Sequence, residues 1–456
     1  MSDMSTDVPG VLKPRLFSNK DLRNLILPLI IEQFLNVTIG IADTVMIASV
    51  GEAAVSGISL IDAINILFVQ FFAAIATGGA VVVSQYIGRR DHPLASEAAR
   101  QLIWSSTLLA TLIMAILLSA HNSVLFTIYG AVDAQVMSNA RIYFIITLAS
   151  YPFLAVYNAG AALYRSQGNS RVSMNISLVM NFINILFNAL LIYVLKWGSA
   201  GAGTATLLSR IVGAWIIMTF LLRKNEVLSI GNIVRIKLKW HMIKRILRIG
   251  IPSGIENTLF QIGKVLVLSL ITSFGTASVA ANAIMNLISS FILVPGSAIG
   301  LAMITVVGQC MGARDDSQAV FYTKRLMAIA YGMIACLGIL MFITIRPVVG
   351  IFNLSREATD LSINIARSLF VTTLLFWPLS FALPQALRAS GDVRFTMIVS
   401  ILSMWFIRIG GSYLLSLQFG MGLIGVWWAM YLDWIVRSAS FVTRFVNGKW
   451  KRKQVV

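Results

Sequence analysis

Five carboxylates fall inside long apolar runs of this chain: Glu32, Asp43, Asp62, Glu256 and Asp433. An ionisable group in hydrocarbon is costly unless it is paired or hydrated, so each one is a candidate for chemistry. Asp43, in NVTIGIADTVMIASVG, has Asn36 two turns before it. A carboxylate in an apolar cavity can alternate between protonated and ionised forms, or hold Na⁺ together with amide oxygens; the alternative is a plain helix–helix hydrogen bond. Glu32 and Glu256 each follow a proline, Pro28 and Pro252, by four residues. Proline removes a helical hydrogen bond and bends the helix, which puts a hinge one turn from a titratable group. Glu256 has Asn257 and Gln261 beside it and Lys264 two turns on, so a buried Glu256–Lys264 contact is its structural alternative.

Amides extend the set. The run NISLVMNFINILFNALLIY carries Asn175, Asn181, Asn184 and Asn188. Asn184 and Asn188, four apart, share a helix face and offer either oxygens for a cation or glue between helices. Asp433 and Arg437 are likewise four apart, and with Arg408 they suggest a structural ion-pair cluster. Asp62, next to Asn65 on its helix, stays open between a substrate contact and a structural role. The expected coupling-ion set is thus Asp43, Asn184, Asn188 and Glu256, and the expected substrate contacts are Glu32, Asn36, Asp43, Asp62, Glu256 and Gln261. Phe68, Phe71, Phe72, Tyr157, Phe260 and Trp377 are candidates to line a pocket for varied apolar ligands, although most aromatic residues will face lipid or core.

Other chemistry is missing from the sequence. There is no HExxH, Walker A loop, G-x-S-x-G elbow or DDxxD, and the three histidines, His92, His121 and His241, lack ligand-like spacing. The two cysteines, Cys310 and Cys336, lie in apolar runs and indicate neither a disulfide framework nor a metal cluster. We therefore expect no enzyme, no cofactor and no ATP-driven pump, leaving an ion gradient, H⁺ or Na⁺, as the energy source.

The elements that position these groups follow from composition. Of 456 residues 57% are apolar and 12% charged, whereas soluble domains are about 25% charged. Twelve helices of about 20 or more apolar residues account for most of the length and leave no room for a sizeable soluble domain. We place spans near 24–50, 53–87, 98–120, 137–163, 173–196, 201–222, 248–274, 279–311, 321–345, 359–387, 395–418 and 422–446. The first is too long for a signal-peptide core and lacks a convincing cleavage site. With this placement 27 Lys and Arg fall on the side holding both termini, five on the other and four within spans. That bias predicts cytoplasmic termini. It also accounts for most of the net charge of +18, so nucleic-acid binding is not expected.

The sequence repeats at an offset of 224: Pro28 and Glu32 fall on Pro252 and Glu256, and VVVSQYIGRRD (Gln85, Gly88, Asp91) falls on TVVGQCMGARD (Gln309, Gly312, Asp315). After spans 4 and 10, ALYRSQGN and ALRASGD match with the offset changed by one, Arg165 on Arg388 and Gly168 on Gly391. Six spans per half keep both halves in the same orientation, related by an axis along the membrane normal. The expected fold class is an all-α membrane protein of twelve helices in two parallel six-helix lobes. Its expected divisions are a cytoplasmic tail at 1–23, a first lobe at 24–222, a basic cytoplasmic linker at 223–247, a second lobe at 248–446 and a cytoplasmic tail at 447–456. Two lobes rocking about a central cavity suit alternating access, and so a secondary transporter rather than a channel.

These segments, with ADTVMIASVG in span 1 and IGIPSGIENTLFQIG in span 7, resemble the multidrug and toxic compound extrusion (MATE) family over nearly the whole chain. The resemblance implies export of cationic or amphipathic compounds in exchange for Na⁺ or H⁺, through a cavity between the lobes. Residue by residue, Asp43 matches the family's span 1 aspartate, Asn184 and Asn188 match its span 5 partners, and Glu256 matches the span 7 glutamate of the NorM-like branch. Two departures stand out. Asn188 replaces a frequent Asp, and span 10, LLFWPLSFALPQALRAS, has no acid where that branch carries an aspartate. The expected function is an antiporter, monomeric in the lipid bilayer, with a small cationic or amphipathic cargo. The alternatives are a lipid-linked precursor flippase, an exporter of an anionic metabolite, for which Lys264 and Arg408 leave room, and a major facilitator type transporter.

Overall fold

A computed structural model of the chain describes residues 15–130, 132–223, 227–231, 237–453 and 455–456, apart from the side chains of residues 41–44. The Asp43 side chain, most of the first tail and parts of the basic linker therefore lie outside the described residues. The described residues form twelve long helical segments. They are α1 (Asn19–Ala48), α2 (Glu52–Gly88), α3 (His92–Tyr129), α4 (Ala134–Ala149 and Tyr151–Ser166), α5 (Ser170–Val194), α6 (Gly198–Leu222), α7 (Trp240–Thr272), α8 (Thr276–Gly312), α9 (Asp316–Gly350), α10 (Arg356–Ser390), α11 (Val393–Gln418) and α12 (Gly422–Val446). Ten are long and apolar enough to cross a membrane, and the two halves of α4, bent by 45°, make an eleventh. The bend sits at Ser150, just before Pro152, whose missing N–H cannot continue the ladder. α12 has 25 residues and carries Asp433, Arg437 and Arg444 along its length.

A helix covers every expected span, but several helices outrun their apolar stretch. α3 covers His92–Tyr129, and α7 begins at Trp240, eight residues before the expected 248. Hydropathy marks the thickness of the hydrocarbon, whereas a helix continues for as long as it has something to pack against. The early turns of α7 bury Met242, Ile243 and Ile246.

The repeat extends to backbone detail. Asp91 and Asp315 cap α3 and α9, accepting from the N–H groups of Leu94 and Gln318. Arg90 and Arg314 both have positive φ, 61° and 55°, as do Gly168 and Gly391, 81° and 104°. Even the irregular ends of α5 and α11 correspond. Both turn π-helical, at Ala189–Val194 and Leu414–Gln418, and Leu195 N–H donates to Leu190 O as Phe419 N–H donates to Leu414 O, at 3.0 and 3.2 Å.

The two lobes, α1–α6 and α7–α12, exchange their leading turns. Leu22, Leu25 and Leu29 of α1 are buried with Ala298, Met303 and Val307 of α8. Reciprocally, Met242, Ile246 and Ile249 of α7 are buried with Val82, Leu102 and Leu163 of the first lobe. The lobes meet chiefly through α2 against α7 and α8, and α1 against α8.

At the end that carries the basic loops the lobes are shut. Gln85 Nε2 donates to Ala389 O across the interface at 2.8 Å, and its repeat partner Gln309 donates to Ser166 O at 2.8 Å. Gly88 and Gly312 lie where the helices touch: an added Cβ would stand 1.9 Å from Gln309 O in the first case and 1.9 Å from Gln85 O in the second. Trp450, fully buried in the second lobe, anchors a final segment whose Val455 N–H donates to Gln85 Oε1 at 3.1 Å.

Candidate functional site: a charged cleft between the lobes

α1 and α5 run side by side in constant register. Ser173 Oγ donates to Glu32 Oε2 at 2.9 Å, and Ser177 Oγ to Asn36 Oδ1 at 3.5 Å, each pair 141 residues apart. The same step puts the α1 backbone at position 43 level with Asn184. Asn188 Nδ2 donates to Asn184 Oδ1 at 3.1 Å, so the two amides expected to share a face do so. Asn181 joins through a 3.3 Å bond to Ser177.

Glu32 and Glu256 lie about 20 to 24 Å along their helices, near mid-depth. Both are buried and both are held by arginine. Arg388 Nη2 donates to Glu256 Oε1 at 2.6 Å, and Arg437 Nη2 stands 4.0 Å from the same oxygen. In the first lobe Arg165 Nη1 reaches Glu32 Oε1 at 3.4 Å. These are the same acid and base in both repeats. The sequence reading assigned Arg165 and Arg388 to basic loops and missed them as partners. The signal was available, because the acids recur at an offset of 224 and the arginines at 223, each lobe carrying the pair.

Two adjoining cavities hold these pairs. One, of about 460 Å³, is lined by Glu256, Asn257, Gln261, Arg388 and Arg437. The other, of about 360 Å³, is lined by Glu32, Asn36, Tyr157, Arg165 and Asn181. Gln33 and Gln70 line both, so the two form one interlobe space. Phe260 and Trp377 border the first cavity; Arg437 lies over Phe381, 4.4 Å from its centroid, and Trp377 stacks on Phe381 at 5.3 Å. Phe68, Phe71 and Phe72 instead pack into the first lobe's core with Tyr151.

Other expectations need correction. Asp433 forms no ion pair with Arg408 or Arg437 among the described residues; its Oδ1 accepts from Ser403, while Arg437 turns to Ser400, at 3.0 Å, and to Glu256. The shared helix face was read correctly, but the neighbours on α7 and α11 draw acid and base apart. Lys264 makes no ion pair with Glu256; Arg388 does, and Lys264 lines a neighbouring chamber instead. Asp62 lines neither cavity. It accepts from Tyr143 at 3.0 Å and Asn65 at 3.4 Å, and Asn65 accepts from Tyr151 at 2.9 Å. Nearby, Arg210 donates to Ser150 at 2.6 Å at the α4 bend. No group of His, Cys, Asp and Glu among the described residues could hold a metal ion.

Two repeat-related bundles of membrane helices that close at one end over a polar, charged cleft define a multi-pass membrane transporter for small molecules. The family model MatE matches residues 28–190 and 252–414, once in each lobe, and the chain belongs to this family. It is 27% identical over 443 residues to the probable multidrug resistance protein NorM of Thermotoga maritima, covering 96% of this chain and 94% of that one. It is also 27% identical to the uncharacterized transporter YisQ of Bacillus subtilis, over 95% of each chain. Among solved structures it resembles a MOP superfamily transporter from Pyrococcus furiosus, described by the reverse polarity of its binding pocket, with a TM-score of 0.87 at 22% identity over 95% of this chain and 96% of that one. An outward-facing multidrug resistance MATE transporter matches with a TM-score of 0.88 at 21% identity, over 95% and 96%.

Proposed function

We propose that the chain is a secondary exporter of amphipathic organic compounds, working by alternating access in a bacterial inner membrane, as a monomer with both ends of the chain in the cytoplasm. The observation that carries this reading is the interlobe cleft with its repeat-related Glu–Arg pairs, sealed at the basic end by reciprocal glutamine bonds. The excess of Lys and Arg at that end supports placing it in the cytoplasm. Residues 223–247 would then link the lobes on the cytoplasmic side, and the present conformation would be closed to the cytoplasm.

Coupling is assigned to the first lobe. Asp43 would load and release H⁺ or Na⁺ beside Asn184 and Asn188, whose side chains are already bonded to each other. With Asn188 in place of an acid, the set offers a single carboxylate, which suits a proton better than a cation needing several charged ligands. Glu256, paired with Arg388, is less suited to hold a free cation, because an oppositely charged neighbour already neutralises it. Expulsion follows if ion entry from outside changes the α1–α5 contact and lets the lobes rock.

The test is transport in inside-out vesicles under separately imposed pH and Na⁺ gradients, with fluorescent cationic, neutral and anionic amphipaths. One gradient should drive accumulation, and Asp43→Asn should abolish it with expression intact. Transport under neither gradient, or full transport by Asp43→Asn, overturns the reading.

A further inference from the structure

A second chamber, of about 770 Å³, adjoins the central cavity at Gln261, which lines both. Its walls are mostly apolar, with Ile64 and Leu67 of α2, Val265 of α7, Val279 of α8 and Met430 of α12 among them. Two cations line it, Lys264 from α7 and Arg408 from α11, and no Asp or Glu does. Among the described residues neither cation takes part in an ion pair. The Nε of Arg408 is buried with no hydrogen-bond partner, and its guanidinium lies over Phe260, 5.6 Å from the ring centroid. Asp433 is the nearest acid to act on Arg408, but the two form no ion pair, and its Oδ1 accepts from Ser403.

The internal repeat gives these cations a meaning. An offset of 224, which relates the ends of α5 and α11, carries Arg408 back to Asn184 and Lys264 back to Gly40, one turn from Asp43. Where the first lobe has a carboxylate and amides, the second has two positive side chains. Earlier on α11, before the π-helical stretch Ser403–Gly410, the offset is 223: Ser173 and Ser177 serve an acid and an amide, whereas their counterparts Thr396 and Ser400 serve Arg388 and Arg437. The duplicated site has inverted its polarity.

We infer that this chamber binds an amphipathic organic anion, its carboxylate, sulfonate or phosphate head held between Lys264 and Arg408 and its apolar body against α2, α8 and α12. Two cations without an ion-pair partner in an apolar chamber are costly, and an anionic head accepting from both lowers that cost, Arg408 offering a fork and Lys264 a point charge. A cationic ligand would be repelled, and a neutral one would leave both without an ion-pair partner. The chamber's place on an export route rests on the function proposed above; its choice of ligand charge does not.

The probe is a dansyl-labelled long-chain carboxylate, with its neutral amide and its trimethylammonium analogue as controls, titrated at equilibrium and with no gradient into the full-length protein in phosphatidylcholine nanodiscs. The carboxylate should bind saturably and at least about tenfold tighter than either control, the worth of one charge-assisted contact. Lys264→Met and Arg408→Gln should each remove that preference without weakening the neutral probe, and Lys264→Arg should keep it. Adding phosphatidylglycerol separates the sources: displacement of the probe that depends on Lys264 and Arg408 identifies a lipid headgroup, and no displacement identifies a soluble anion. Equal affinity for the three probes, or carboxylate binding unchanged in both variants, overturns the inference even if vesicles transport. Anion binding without gradient-driven transport would instead overturn the proposed function alone.

Discussion

Adding one methyl group at Gly88 or Gly312 should open the basic end. An alanine Cβ at either position would stand 1.9 Å from a backbone carbonyl oxygen of the opposite lobe. Ordinary carbon–oxygen contacts are about 3.3 Å, so the helices must part by about 1.4 Å. No flexible side chain can yield in their place. Overpacking of this kind costs about 1 to 3 kcal/mol, and weakening the neighbouring glutamine bonds adds about 1 kcal/mol. A penalty of about 2 to 4 kcal/mol borne by the closed state alone shifts the balance towards the open one by a factor of about 30 to 700. Spin labels at positions 171 and 394, exposed on opposite lobes, in a background lacking Cys310 and Cys336, would read the change by pulsed electron resonance. Gly88→Ala and Gly312→Ala should each add a longer distance, and by the repeat their effects should be alike. Gly332→Ala is the control, since nothing lies within 4 Å of its added Cβ. An unchanged distance distribution in both interface variants would refute the view that this contact holds the lobes shut.

Further outcomes follow from individual contacts. Arg388→Gln leaves buried Glu256 only the more distant Arg437, at 4.0 Å, and should cost about 3 kcal/mol in thermal unfolding, while Glu256→Gln/Arg388→Gln should recover much of that loss. Arg165→Gln should cost less, because its pair is longer, 3.4 against 2.6 Å, and more exposed. Ser403→Ala removes the donor from Asp433 Oδ1, whose Oδ2 is already without one, and should destabilise by about 1 to 3 kcal/mol in the same assay. Trp450→Ala, which empties a fully buried site, should cost about 3 to 5 kcal/mol and loosen the segment bonded to Gln85, seen as faster amide exchange at Val455.

The sequence made the spans, the repeat and the parallel lobes legible because each is written locally, in runs of apolar residues and in segments that recur at a fixed distance. The α5 face of Asn184 and Asn188 followed from helical spacing. Partnerships between distant helices were written only in the joint recurrence of Glu32 with Arg165 and Glu256 with Arg388, not in their local surroundings. Nothing near Glu256 in the chain indicates that Arg388, 132 residues away, will claim it in place of Lys264, eight residues away. Asp433 and Arg437 share a face, as their spacing requires, yet face different neighbours. Hydropathy could not set the start of α7, because its first turns are charged and are held by the other lobe.

That crossing of α1 and α7 has a consequence for how the two halves can exist. Each lobe lends the other its first helical turns, which end near Pro28 in α1 and Pro252 in α7. A half expressed alone would lack the turns its partner supplies and would expose Leu22, Leu25 and Leu29, or Met242, Ile246 and Ile249, to solvent. A chain cut between residues 223 and 239 should therefore assemble only when both fragments are made together, and their rocking must flex two shared arms rather than turn two independent bodies.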